Sequence, residues 1–445
     1  MKFINILKNI WKIEELKNRI LVTLGLLLVY RFGAQVVLPG VDASQLSNLA
    51  SQTDGGLLGL LNAFTGGAFS NASVFALGIM PYISASIVVQ LMGIAVPYLQ
   101  KLQKEGESGR RKINQITRWL TIAITLVQGP GYIYNLFATL PQSAFLLGDT
   151  VTFVASSVII LTTGTIFAMW LGEKITDKGI GNGISLLIMV GIIATLPQAF
   201  IQEFASRVFE SNGGLIMILI ELVIWFLIIL ASVMLVMAVR QIPVQYARRT
   251  ASGGYEKNVF GSRQYIPLKL NASGVMPIIF AQAIMFIPAA VAGLSEGETS
   301  QGIAAAFSDI FGFWYNLVFA LLIIVFTYFY TAITVPTNKM ADDLKRSGGF
   351  IPGIRPGSET GEFLDRIMSQ ITLPGSIFLA LIAVFPAVVV QLLGVQQGWA
   401  LFFGGTSLLI MVGVAIDTMQ QVNSYLLNRH YDGLMKSGKN RKAIA

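Results

Sequence analysis

Side chains able to carry out a reaction are scarce in this sequence, and they are scattered. There is no cysteine, hence no thiolate nucleophile, disulfide or thiolate metal site. The single histidine, His430, lies in a polar C-terminal stretch, which argues against histidine metal clusters and histidine-assisted triads. Gly433–Asn440 reads GLMKSGKN and approaches a phosphate-cradling loop. Asn440, however, stands where magnesium needs a Ser or Thr hydroxyl, and no strand precedes it. No carboxylate pair or Ser/Lys arrangement stands out, so neither an enzyme nor a cofactor nor a metal is expected. Three charges lie inside apolar stretches: Arg31, Glu221 and Asp417. Each would cost roughly 2.5–3.5 kcal/mol at the centre of a membrane helix. They sit nearer the ends, where snorkelling or a packing pair accounts for them.

Two further groups have types that suit a membrane interior. Gln90, Gln128, Ser273 and Gln282 place neutral polar groups on apolar segments. In lipid such groups seek partners on neighbouring helices, either as ordinary interhelical hydrogen bonds or as a seam able to part. The other group has no chemistry at all. Ile79, Ile83, Ile184, Ile188, Ile279 and Ile410 fall at corresponding depths on four apolar segments. A ring of such side chains would be a constriction rather than a binding site, sealing around nothing or around a chain passing through. Composition alone makes ordinary packing the default explanation, because isoleucine is common in membrane helices.

The segments that must position these residues are membrane spans. The chain of 445 residues is 54% hydrophobic and only 12% charged, with mean hydropathy +0.67. A soluble chain carries about 25% charged residues. Ten apolar stretches are long enough to cross a bilayer as helices, near 20–38, 72–99, 113–137, 151–171, 180–199, 213–239, 271–294, 312–335, 370–393 and 400–422. With the N-terminus cytoplasmic, 29 of the 31 lysines and arginines fall on the cytoplasmic side, which predicts both termini inside. Anionic lipid headgroups would attract such a face. Residues 1–19 form a polar, amphipathic segment without a signal-peptide cleavage pattern. Residues 423–445 form a cytoplasmic tail.

Several segments exceed what crossing a bilayer requires. The basic cytoplasmic loops 240–270 and 337–369 are long enough to dock a partner. Residues 55–70, GGLLGLLNAFTGGAFS, are apolar but too short to span, and predict a re-entrant half-helix or a surface helix. The glycine-rich string GEKITDKGIGNGIS (172–185) permits close packing at the start of the fifth span. Pro81, Pro277 and Pro288 should kink the second and seventh spans. Residues 200–212 read as an outer loop containing Arg207. They divide five spans (20–199) from five (213–422), an odd number per half that implies inverted halves. The predicted fold is thus an all-α polytopic membrane protein.

Seven strings carry a resemblance: YRFGAQVVLPG (30–40), FALGIMPYISASI (75–87), QKEGESGRRKINQITR (103–118), MWLGEKITDKGIGNGIS (169–185), IPLKLNASGVMPIIFA (266–281), SGGFIPGIRPG (347–357) and FGGTSLLIMVGVAID (403–417). In order and over essentially the whole chain, the sequence resembles the SecY family, channel subunits of the Sec protein-conducting translocase. The resemblance implies two inverted five-helix halves around a central pore in the bacterial plasma membrane. It implies that the six isoleucines form the pore ring and that residues 55–70 are a plug, carried by Leu57, Leu58, Leu60, Leu61, Phe64, Gly66 and Gly67. It puts Gln90, Gln128, Ser273 and Gln282 on lateral-gate helices. Arg248, Arg249 and Arg355 fall in loops that engage the SecA motor or the ribosome. SecE, SecG and signal-sequence-bearing preproteins are the further partners implied. The loop tip departs from the pattern by carrying Glu256 in a less basic run. An inverted-repeat secondary transporter is the rival reading, disfavoured because few carboxylates lie in the spans. An insertase without a through-pore is a second.

Overall fold

The computed structural model describes residues 11, 13–46, 56–146, 150–209, 214–246, 264–292 and 309–441. The chain divides into two units, Met1–Gly214 with Gln396–Leu401 and Val414–Ala445, and Leu215–Val395 with Phe402–Gly413.

The first unit contains α1 (Glu14–Gly33), α2 (Gly56–Thr65), α3 (Met80–Ala95), α4 (Pro97–Lys104), α5 (Glu107–Thr139), α6 (Thr150–Lys178) and α7 (Gly183–Phe209). Glu14 and Glu15 in the first turn of α1 and Arg31 in its last match the helix dipole. One face of α5 is lined by buried Thr117, Thr121 and Thr125. The hydroxyls of Thr121 and Thr125 return to carbonyls one turn back, at 2.8 and 2.7 Å, so polar side chains cost little in an apolar setting. A buried cluster of Leu38, Phe69, Ala72, Ala76, Tyr132, Leu136 and Phe153 joins the chain after α1 and after α2 to α5 and α6.

The second unit contains α8 (Gly214–Met237), β1 (Val239–Tyr246), β2 (Gln264–Lys269), α9 (Met276–Ala292), α10 (Phe313–Thr334), α11 (Thr337–Arg346), β3 (Gly349–Phe350) and α12 (Ser358–Leu393). After α12, the short α13 (Gln397–Ala400) belongs to the first unit. The final helix, α14 (Gly405–Arg441), begins in the second unit and continues in the first from Val414. It runs through Gly433–Asn440, so that string is helix and not a phosphate loop. Each of the ten expected spans carries a helix. Among the described residues, α6, α7, α8, α12 and the run Phe313–Arg346 are long and apolar enough to cross a membrane by themselves.

Several expectations are corrected. The second span is not one helix, because residues 72–79 are turns and α3 starts after Ile79 with Pro81 in its first turn. Proline has no N–H to lose there, so it opens the helix instead of kinking it. Pro277 opens α9 in the same way. The break comes at Val96–Pro97, where extended Val96 precedes a bend of 103° between α3 and α4. Residues 200–209, expected as loop, continue α7, because Glu203 and Arg207 pair one turn apart and are buried. The long basic segments 240–270 and 337–369 are not plain loops, and the fold is not purely helical. β1 pairs antiparallel with β2, Ile242 opposite Ile266, and with β3, Tyr246 opposite Gly349, giving the order β2-β1-β3. Alternate residues Ile242 and Val244 face inward and join Leu268, Leu344, Ile351, Leu364 and Ile367 in one core. Hydropathy missed this module because its strands are short and its proline and charged residues face out.

Candidate functional site

The six isoleucines lie at helix starts or on helix bodies. Ile79 is the N-cap of α3 and Ile83 follows one turn later, its N–H bonded to the Ile79 carbonyl at 3.1 Å. Ile184 and Ile188 occupy the equivalent spacing at the start of α7. Residues four apart on a helix share a face, so each pair presents a double rung of branched aliphatic carbon. These four belong to the first unit, whereas Ile279 on α9 and Ile410 on α14 belong to the second. Ile79, Ile188 and Ile410 are buried; Ile83, Ile184 and Ile279 are half-buried.

The start of α7 is held by the glycine-rich string. Thr23 Oγ1 on α1 accepts the Ile180 N–H at 3.0 Å, and Gln421 Oε1 on α14 accepts the Gly181 N–H at 2.8 Å. Thr176 Oγ1 accepts the Gly183 N–H at 2.9 Å. A side chain at Gly183 would drive into the Gly172 carbonyl, so α6 and α7 meet backbone to backbone. Three elements therefore fix the register at which Ile184 and Ile188 sit.

The segment expected as plug is helical from Gly56 to Thr65, with Leu60 and Phe64 buried and Leu61 half-buried. The side chains of Leu57 and Leu58 lie outside the described residues. Gly66 and Gly67 close α2 with φ +67° and +86°. The Gly67 N–H bonds the Asn62 carbonyl at 3.0 Å and the Gly66 N–H bonds Ala63 at 3.2 Å, a Schellman closure that needs left-handed backbone. This end of α2 rests on α7, where a Cβ at Gly191 would meet the Phe64 carbonyl at 2.7 Å.

The four polar residues are not alike. Gln90 is half-buried and bonds Ser86 Oγ on its own helix at 3.2 Å, while Gln128 is exposed on α5. Ser273 precedes α9 instead of lying on it, because the turn at 270–275 delays the helix to Met276; its hydroxyl bonds Asn271 Oδ1 at 3.2 Å. Gln282 is buried and donates to Tyr315 Oη on α10 at 3.2 Å. Arg248 and Arg249 lie outside the described residues. Arg355 sits in the turn between β3 and α12, its side chain 88% exposed and 3.7 Å from Glu359. Its carbonyl accepts from the buried Thr360 hydroxyl at 2.8 Å, so a tethered backbone presents an exposed guanidinium.

Two ionic features escaped the sequence. Arg31, expected to snorkel or pair, donates from Nη1 to the Gly66 carbonyl at 2.5 Å. Glu203 pairs with Arg207 at 2.8 Å, with side chains 3% and 6% exposed, and its second oxygen accepts the Gln396 N–H at 2.8 Å. The Glu-x-x-x-Arg spacing of the latter was a legible signal.

Comparisons with known proteins agree on one family. The SecY family model matches residues 73–419. A protein translocase subunit SecY of Streptomyces scabiei is 40% identical over 438 residues, covering 96% of this chain and 98% of the relative. Among solved structures, a protein-conducting channel superposes with TM-score 0.60 at 18% identity, covering 92% of each chain. Sec61 in a canine ribosome–channel complex from the endoplasmic reticulum gives TM-score 0.55 at 17% identity, again with 92% of each chain covered. The fold is thus that of these channels, and the chain belongs to the SecY family.

Proposed function

We infer that this chain is the channel-forming subunit of a protein translocase, passing unfolded polypeptides across the plasma membrane and releasing membrane segments sideways into it. The observation that carries this reading is the near full-length similarity to translocase subunits. The six isoleucines act as the constriction. Branched aliphatic carbon touches any passing sequence without specific hydrogen bonds, and it offers an ion nothing in exchange for its hydration shell. α2 is the stopper of the idle channel. Gln90, Gln128, Ser273 and Gln282 mark the segments that part for lateral release. Arg355, with Arg248 and Arg249, docks a motor or a ribosome on the cytoplasmic side, where both termini lie. Smaller Sec subunits, signal-sequence-bearing preproteins and anionic lipids are the remaining partners. The test is reconstitution of the full chain with its partner subunits and motor in liposomes. A signal-bearing preprotein should become protease-protected, and a preprotein lacking its signal should not. Equal protection of both would reject the reading.

A further inference from the structure

Where the stopper helix ends, the chain changes from a helix seated on α7 to a segment woven into the first unit's core. Beyond Gly67 the backbone is pinned repeatedly. Tyr132 Oη donates to the Phe69 carbonyl at 2.8 Å. The Leu38 N–H reaches the Ala72 carbonyl at 2.8 Å, and the Val74 N–H reaches Val36 at 2.9 Å. Phe69, Ala72 and Ala76 are buried in the same cluster as Leu38 and Leu136. Any displacement of α2 therefore has its natural pivot at Gly66–Gly67, where both residues have positive φ.

Arg31 sits at this pivot. Its guanidinium donates to the Gly66 carbonyl, at the negative end of the α2 dipole. The seat is tight on both sides. A Cβ at Gly66 would lie 2.7 Å from Gly191 Cα on α7 and 2.8 Å from Arg31 Nη1. Gly191 lies one turn beyond the paired isoleucines Ile184 and Ile188 on α7.

We propose that Arg31 is a positioning residue that latches the stopper helix at its hinge and so holds the idle channel shut. This rests on the reading of α2 as the stopper. A charged hydrogen bond to a hinge carbonyl suits a latch, because it is strong when water is excluded and is replaced by water once the helix moves away. Lysine could keep part of it, as a single ammonium donor without the planar fork.

The test uses the full chain reconstituted in liposomes. Because the chain has no cysteine, Leu61→Cys supplies one reporter thiol on α2. Arg31→Met should raise both the idle ion conductance and the thiol labelling rate severalfold, with Arg31→Lys in between. Deleting residues 57–65 should raise the conductance, and Arg31→Met should then add nothing. Gly66→Ala, which keeps the charge but fills the seat, should act like Arg31→Met and serves if that variant fails to assemble. Unchanged conductance and labelling in Arg31→Met and Gly66→Ala would overturn the latch, as would an equal rise in conductance with the helix deleted. If the deletion alone leaves conductance unchanged, the stopper reading fails, and the labelling rate still decides whether Arg31 holds α2.

Discussion

Ile83 and Ile188 differ in how much of each is covered, and that difference shapes what their replacement should do. Ile188 is 7% exposed, whereas Ile83 is half-buried. Ile83→Ser with Ile188→Ser should admit water to the constriction and raise ion leak in proteoliposomes, most of all with residues 57–65 deleted. Unchanged leak in that background would count against the ring. The double variant should also lose stability, since shortening a buried isoleucine to alanine already costs about 2–5 kcal/mol. Arg355 contrasts with both. Its side chain is 88% exposed, and a surface pair of the kind it makes with Glu359 contributes about 0–1 kcal/mol. Arg355→Glu should therefore leave the melting temperature nearly unchanged while abolishing motor-driven export of a preprotein. Normal export would remove Arg355 from the docking surface. The six isoleucines and Arg355 were singled out through motif strings. The bond from Arg31 to Gly66 was not, because a carbonyl has no side-chain signature.

At the scale of elements, hydropathy located helices well and their ends poorly. The second expected span failed at both ends, since an apolar turn at 72–79 and a proline break at Val96–Pro97 score like helix. The fifth ran past its expected end, since Glu203 and Arg207 score as loop although they neutralise each other inside the unit. The same pair holds the Gln396 N–H, just before α13, whose Trp399 packs edge-on against Phe200 of α7 at 5.2 Å. Glu203→Ala takes the carboxylate away from a buried guanidinium and frees that N–H. Breaking a buried pair by removing one partner costs about 3–5 kcal/mol. The expected result is a clear fall in the thermal unfolding midpoint of the purified protein, smaller for Glu203→Gln, which keeps an acceptor. A midpoint equal to the parent's would show that the pair adds little.

For the whole molecule, charge asymmetry is the strongest statement, with 29 of 31 basic residues assigned to one side. It predicts that a cysteine at position 436, in a chain otherwise free of thiols, resists an impermeant maleimide in intact cells and reacts in inverted vesicles. Labelling in intact cells would reverse the assigned topology. The strand module, β2-β1-β3 with α11, lies in the two segments assigned to that face. Its core of Ile242, Val244, Leu268 and Ile351 gives the described parts of these segments a fixed shape.

The sequence by itself determined the membrane class, the spans as helices and, through its motif strings, the family. The membrane class and the spans follow from a property that lipid reads residue by residue, apolar length. Only the tertiary structure decided where the polar groups go. Arg31 reaches Gly66 across 35 residues, Thr23 reaches Ile180 across 157, and Glu203 reaches Gln396 across 193. Hydropathy scores each of these as a lone cost. In the fold they are satisfied pairs, because burial away from water leaves a polar group stable only where a partner is supplied, and here another segment supplies it.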